Sequence, residues 1–217
     1  MDYSKIKEAN PWWENKNLIN NDINLIRLES QKIKWQYKII ESLKEGIYSL
    51  RGPRQIGKTT WIKQKIKSLL ETNESKNILF YSCDDIKNFE ELTELIELFL
   101  ELTDKNEKKY IFLDEIPYVK DWQRAIKHLY DLGKFNKCAV ILSGSHSIDI
   151  KRSVEQLPGR GDEEKRHFIM LPLTFFQYLQ SIGKDIKLTD NFEKVVAILK
   201  INSKILNKEY RNYLLTG

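Results

Sequence analysis

Gly52-Pro53-Arg54-Gln55-Ile56-Gly57-Lys58-Thr59-Thr60 sets two glycines around four residues, with a lysine and two hydroxyls directly behind them. This is the Gly-x-x-x-x-Gly-Lys-Thr pattern of a loop that holds a polyphosphate. Several backbone N–H groups must converge on phosphate oxygens, and glycine lets the chain turn and approach without a β-carbon in the way. The loop runs into a helix start, where unpaired N–H groups and the positive dipole end favour an anion. Lys58 is placed for the β- and γ-phosphates, and the Thr59 hydroxyl for Mg²⁺, a cation that prefers hard oxygen ligands. The expected nucleotide-contacting residues are Gly52, Pro53, Arg54, Gln55, Ile56, Gly57, Lys58, Thr59 and Thr60.

A second chemical signature follows an apolar run, Tyr110-Ile111-Phe112-Leu113-Asp114-Glu115. Asp114 would lie at a strand's carboxyl end and hold Mg²⁺ through the metal's waters. Glu115 would polarise a water for in-line attack on the γ-phosphate. Ser143 and Ser145 close another apolar run, Cys138–Leu142, and are placed to bond the γ-phosphate or the attacking water, or else to make a plain turn. Arg160, in Leu157-Pro158-Gly159-Arg160-Gly161, could stabilise charge on the transferred phosphoryl group in its own chain or a neighbour's. Pairing with Asp162, Glu163 or Glu164 is the other reading. The acidic pair Asp84-Asp85 reads as a loop or helix cap in preference to a metal site.

These groups need elements to carry them. The apolar runs and amphipathic stretches predict strands over about 47–51, 78–83, 110–113, 138–145 and 166–171, with helices over about 59–72, 88–103 and 122–134 between them. Asp22 is expected to cap a helix over 23–34, Asp121 the one over 122–134, and Thr174 one beginning after Pro172. Unbroken apolar strands alternating with helices predict an α/β fold: a three-layer P-loop domain on a five-stranded parallel sheet. The chain is read as an N-terminal arm and helix over 1–45, a core over 46–180 and a helical C-terminal extension over 181–217. Pro11-Trp12-Trp13 must pack on something, either the main domain or another subunit. Trp35 and Tyr37 lie where an adenine could stack or where a core is filled.

Among 217 residues, 36 are basic and 31 acidic, a net charge of +5 that permits a polyanion partner without arguing for one. The two cysteines, Cys83 and Cys138, lie in or beside apolar runs and read as buried thiols, which fits a reducing, cytoplasmic setting. No apolar run approaches a membrane span or a signal peptide. His128, His146 and His167 make no metal-ligand spacing. No guanine-reading Asn/Thr-Lys-x-Asp motif is present, which favours ATP.

Taken in order, Leu50–Thr60, the strand ending Asp114-Glu115, Leu142-Ser143-Gly144-Ser145, Leu157-Pro158-Gly159-Arg160 and Leu171-Pro172-Leu173-Thr174-Phe175 resemble the AAA+ superfamily of P-loop ATPases, in the archaeal and bacterial type with a Gly-Pro-Arg-Gln-x-Gly-Lys-Thr-Thr loop. The resemblance covers about 47–180. It implies an ATP- and Mg²⁺-dependent hydrolase releasing ADP and phosphate, with the Asp-Glu strand lying between the loop's strand and another. It also implies a C-terminal domain following this N-terminal ATPase portion. Ser143 stands where threonine or asparagine is more usual, and Arg211 is the one candidate for a second sensing arginine in 181–217. Rival expectations are a regulatory ATP switch with negligible turnover, a small-molecule kinase, and the ATPase module of a DNA-acting system served by Lys184, Lys187, Lys194, Lys200, Lys204 and Lys208. Self-association that completes the site is a further expectation.

Overall fold

The computed structural model describes residues 2–31, 37, 40, 42–145, 166–184 and 192–216. These fall into two compact units, residues 1–27 with 37–170, and residues 28–36 with 171–217.

In the first unit, β1 (Gly46–Arg51), β2 (Ile78–Ser82), β3 (Lys109–Asp114), β4 (Cys138–Gly144) and β5 (His167–Ile169) form one sheet in the order β2-β3-β4-β1-β5. Every pairing is parallel. Alternate side chains build two cores, because successive residues of a strand face opposite sides. Leu79, Ile111, Leu113, Val140 and Leu142 meet α4 (Phe89–Glu101) and α5 (Trp122–Asp131) on one face. Ile78, Phe80, Phe112, Ile141 and Leu50 meet Trp61, Ile62, Ile66 and Leu70 of α3 (Lys58–Leu70) on the other.

One implied neighbour relation is corrected. The Asp-Glu strand β3 does not border β1; β4 lies between them, paired to both. β3 and β4 are buried along their whole length, and such strands need a partner on each side to satisfy their backbone groups. The chain therefore leaves β1 for the far edge and returns strand by strand. The strand order thus reverses between β1 and β4, and the carboxyl ends at such a reversal are the usual ligand position in these sheets.

The N-terminal segment closes the β2 edge. After α1 (Tyr3–Ala9), the fully buried Asn10 imitates a strand, accepting from the Phe80 N–H at 2.7 Å and donating to the Phe80 carbonyl at 3.0 Å. Trp12 and Trp13 both donate their indole N–H to the Ile78 carbonyl, at 3.0 and 2.9 Å. Capping an exposed edge in this way removes a template for unwanted pairing. Asp22 caps α2 (Ile23–Ser30) through the Asn24 N–H and also holds Lys63 of α3 at 3.2 Å. The buried Lys63 ammonium sits 3.5 Å from the centre of the Phe80 ring.

The second unit contains α6 (Phe175–Ser181), α7 (Phe192–Ile201) and α8 (Ser203–Thr216). Thr174 and Gln177 form a reciprocal capping box at the start of α6. Phe175, Tyr178, Tyr210 and Tyr213 make an aromatic cluster. Beside it the buried Glu209 carboxylate accepts from Lys184, Asn212 and the Tyr178 hydroxyl, and these donors, Lys184 first, hold its pKa below the ordinary value.

Asp121 departs from expectation. It precedes α5 with φ 57 in the left-handed region and makes no side-chain cap, so the backbone turn alone starts that helix. Asp84 and Asp85 accept from Ser82 and Tyr81 within a 3₁₀ turn. Among the described residues no group of three or more His, Cys, Asp or Glu side chains gathers, and no helix is long and apolar enough to cross a membrane.

Candidate nucleotide site

The site is built where β1 gives way to α3. Gly52 opens the loop and Gly57, at φ 94, closes it against the first turn of α3. Between them Gln55 also takes a positive φ of 61, a conformation few side chains adopt, so the turn holds some strain at its tip. Lys58 points back over this turn. Its ammonium donates to the carbonyls of Gly52 at 3.0 Å and Pro53 at 2.8 Å and to Ser145 Oγ at 3.2 Å. Loss of hydration pushes the Lys58 pKa down, while the Glu115 and Asp114 carboxylates oppose that push.

Thr59 Oγ1 donates to Asp114 Oδ2 at 2.5 Å, joining α3 to the end of β3. The other Asp114 oxygen accepts from the Ser143 hydroxyl at the end of β4 and from the Glu115 N–H at 3.1 Å. Asp114 is thus buried yet met on both oxygens, which a buried carboxylate requires. Glu115 takes φ 50, a left-handed turn that breaks the strand's alternation and lets consecutive carboxylates serve one site. Its oxygens accept from Ser145, from Oγ at 2.7 Å and from N–H at 3.2 Å. Ser145 therefore links Lys58 to Glu115.

Lys58, Thr59, Asp114, Glu115, Ser143 and Ser145 converge at the carboxyl ends of β1, β3 and β4. The remaining loop residues diverge. Ile56 packs against the α3 core, and Arg54 is exposed with its guanidinium donating to the Tyr118 hydroxyl at 2.9 Å. Thr60 is half-buried in the first turn of α3. Arg160 and Trp35 lie outside the described residues. Tyr37 is half-buried, its backbone carbonyl taking the Trp61 indole N–H at 3.1 Å and its phenol pKa raised by burial. Arg211 is exposed on α8.

Two partners escaped sequence reasoning. Tyr118 is one; its place three residues beyond Glu115, in the turn that must leave β3, was the available signal. The bridging of Ser145 between lysine and glutamate is the other, since β4 had to be placed beside β3 before it could be seen.

Known proteins resemble this chain in sequence. Residues 44–179 match the model of a family described as an AAA domain. The chain is 30% identical over 196 residues to Uncharacterized protein MJ1637 of Methanocaldococcus jannaschii, covering 83% of this chain and 39% of that protein. It therefore spans about two fifths of that relative's length. Solved structures give fainter likenesses. Cdc6p from Pyrobaculum aerophilum aligns with 16% identity and a TM-score of 0.41, covering 89% of this chain and 55% of that one. PCH-2 of C. elegans aligns with 11% identity and a TM-score of 0.42, covering 88% and 51%. With a phosphate loop, an Asp-Glu strand end and a parallel sheet ordered β2-β3-β4-β1-β5, the chain belongs to the AAA domain family.

Proposed function

We propose that this domain binds ATP with Mg²⁺ and hydrolyses it to ADP and phosphate. The observation that carries the reading is the Thr59 hydroxyl bonded to the Asp114 carboxylate, two hard oxygen donors brought together from elements 55 residues apart. Magnesium typically takes one or two protein oxygens and shares the rest of its shell with phosphate and water. Thr59 and Asp114 fit that requirement and would hold it, and the ion would neutralise charge on the phosphate oxygens.

The chain's own groups do the rest. The loop's backbone N–H groups, Pro53 having none, cradle the phosphates, and Lys58 leaves its loop carbonyls for the β- and γ-oxygens. Glu115 orients a water and takes its proton as the oxygen attacks the γ-phosphorus. Ser143 keeps Asp114 in place through its hydrogen bond. Arg160 stabilises charge on the transferred phosphoryl group, within the chain or across a self-associated neighbour.

Phosphate release by the wild-type chain with ATP and Mg²⁺, set beside Glu115→Gln and Lys58→Ala, tests the reading. Glu115→Gln should retain nucleotide binding and lose turnover by about a hundredfold or more, and Lys58→Ala should lose binding. Turnover that survives Glu115→Gln would overturn the assignment. A second reading, a nucleotide switch with negligible turnover, draws on one observation: both Glu115 oxygens are held by Ser145. Saturable ATP binding without phosphate release would favour it.

A further inference from the structure

A residue well downstream of the phosphate loop lies against both of the loop's ends. Met170 directly follows β5 and is 1% exposed. Its N–H donates to the Arg51 carbonyl at 2.7 Å, one step past the register that pairs Arg51 with Ile169. Its main chain runs against the first loop glycine. A β-carbon added to Gly52 would stand 2.3 Å from the Met170 carbonyl oxygen, closer than real contacts allow. Its side chain then reaches the last glycine, with the terminal methyl carbon 3.7 Å from where a β-carbon on Gly57 would stand. An unbranched thioether suits an irregular gap of this kind.

The distance between Gly52 and Gly57 sets whether the loop's N–H groups converge on one anion. We propose that Met170 is a positioning residue for the phosphate loop, bracing Gly52 and Gly57 at the spacing that nucleotide binding needs without touching the nucleotide. The inference rests on the loop being the nucleotide site proposed above. The Gly52 side is held by backbone, which no substitution at 170 removes. On the Gly57 side the terminal methyl is, among the described residues apart from Gly57's chain neighbours, the one atom within 4 Å of that β-carbon position, so side-chain changes at 170 act selectively on that end of the loop.

The test is binding of a fluorescent ADP analogue to the full chain, with the thermal midpoint recorded for each variant. Met170→Ala removes the brace. Met170→Val keeps an apolar branch but not the atom under Gly57, and serves if the alanine chain does not fold. Met170→Leu keeps apolar bulk out to the δ position, one atom short of the bracing methyl. Ile66→Ala, a fully buried residue of the same core on α3, is the control for destabilisation alone. Met170→Ala and Met170→Val should weaken binding by about ten- to hundredfold, the scale of a small misplacement at a preorganised site. Met170→Leu should fall between wild type and Met170→Ala, and Ile66→Ala should bind as wild type despite an equal or larger drop in midpoint. Wild-type affinity in Met170→Ala or Met170→Val, or an equal loss in Ile66→Ala, overturns the inference alone. A wild-type chain that binds no nucleotide, or binds as well after Lys58→Ala, removes the nucleotide-site reading and this inference with it.

Discussion

Replacing Asn10 by alanine should destabilise the first unit far more than an ordinary loop substitution. The Asn10 side chain makes three hydrogen bonds at zero exposure: to the Ile6 carbonyl at 2.7 Å, to the Phe80 carbonyl at 3.0 Å and from the Phe80 N–H at 2.7 Å. Alanine leaves the Phe80 N–H and carbonyl facing a dry edge. Each buried group stranded this way costs about 1–3 kcal/mol. Some relaxation of the arm offsets part of that, so the net loss is set at about 2–4 kcal/mol. For a chain of this size that is a fall in Tm of roughly 5–15 °C. Urea unfolding followed by tryptophan fluorescence reads it directly, because Trp12 and Trp13 cover the same edge. The midpoint should fall with an unchanged slope. Asn20→Ala, an exposed change in the same segment, should stay within about 0.5 kcal/mol. If Asn10→Ala shifts no more than Asn20→Ala, water reaches the β2 edge and the claim that the arm seals it is wrong.

Thr59→Ala should leave Asp114 with one donor fewer and reduce the stabilisation by ADP that depends on Mg²⁺. In thermal scans with ADP, the difference between Mg²⁺ and EDTA should shrink by more than half, roughly, against wild type; an unchanged difference would show that Thr59 is no ligand. Both thiols should resist a thiol reagent in the native chain and react on unfolding. Burial raises the Cys83 pKa well above its ordinary value and the Cys138 pKa to about 11. The folded chain therefore keeps protons that the unfolded chain releases, so this contribution is complete below about pH 9 and is lost as pH rises towards the folded values. Rapid native-state labelling at neutral pH would contradict it.

Much of the architecture was legible in the chain. Ile111–Leu113 and Val140–Leu142 are apolar without alternation, which only a strand covered on both faces accommodates, and both proved fully buried. The phosphate loop was readable because it is local: its glycines, Lys58 and Thr59 act within one turn of main chain, and sequence spacing is then spatial spacing. Asp22 and Thr174 announced helix starts by side-chain chemistry with the same short reach. Asp121 looked identical in sequence, but its backbone is left-handed and its side chain makes no capping hydrogen bond.

Contacts between distant segments depended on the order of strands. The insertion of β4 between β3 and β1 brought Ser143 to Asp114 and Ser145 to Lys58 and Glu115. Asn10 met Phe80, and Met170 met Gly52, by the same kind of long-range closure. A sequence by itself determines which backbone shapes and which chemical groups are on hand, because those follow from neighbours a few bonds apart. Which groups meet is decided only when the sheet assembles, since that choice belongs to hydrogen bonding and burial summed over the whole core.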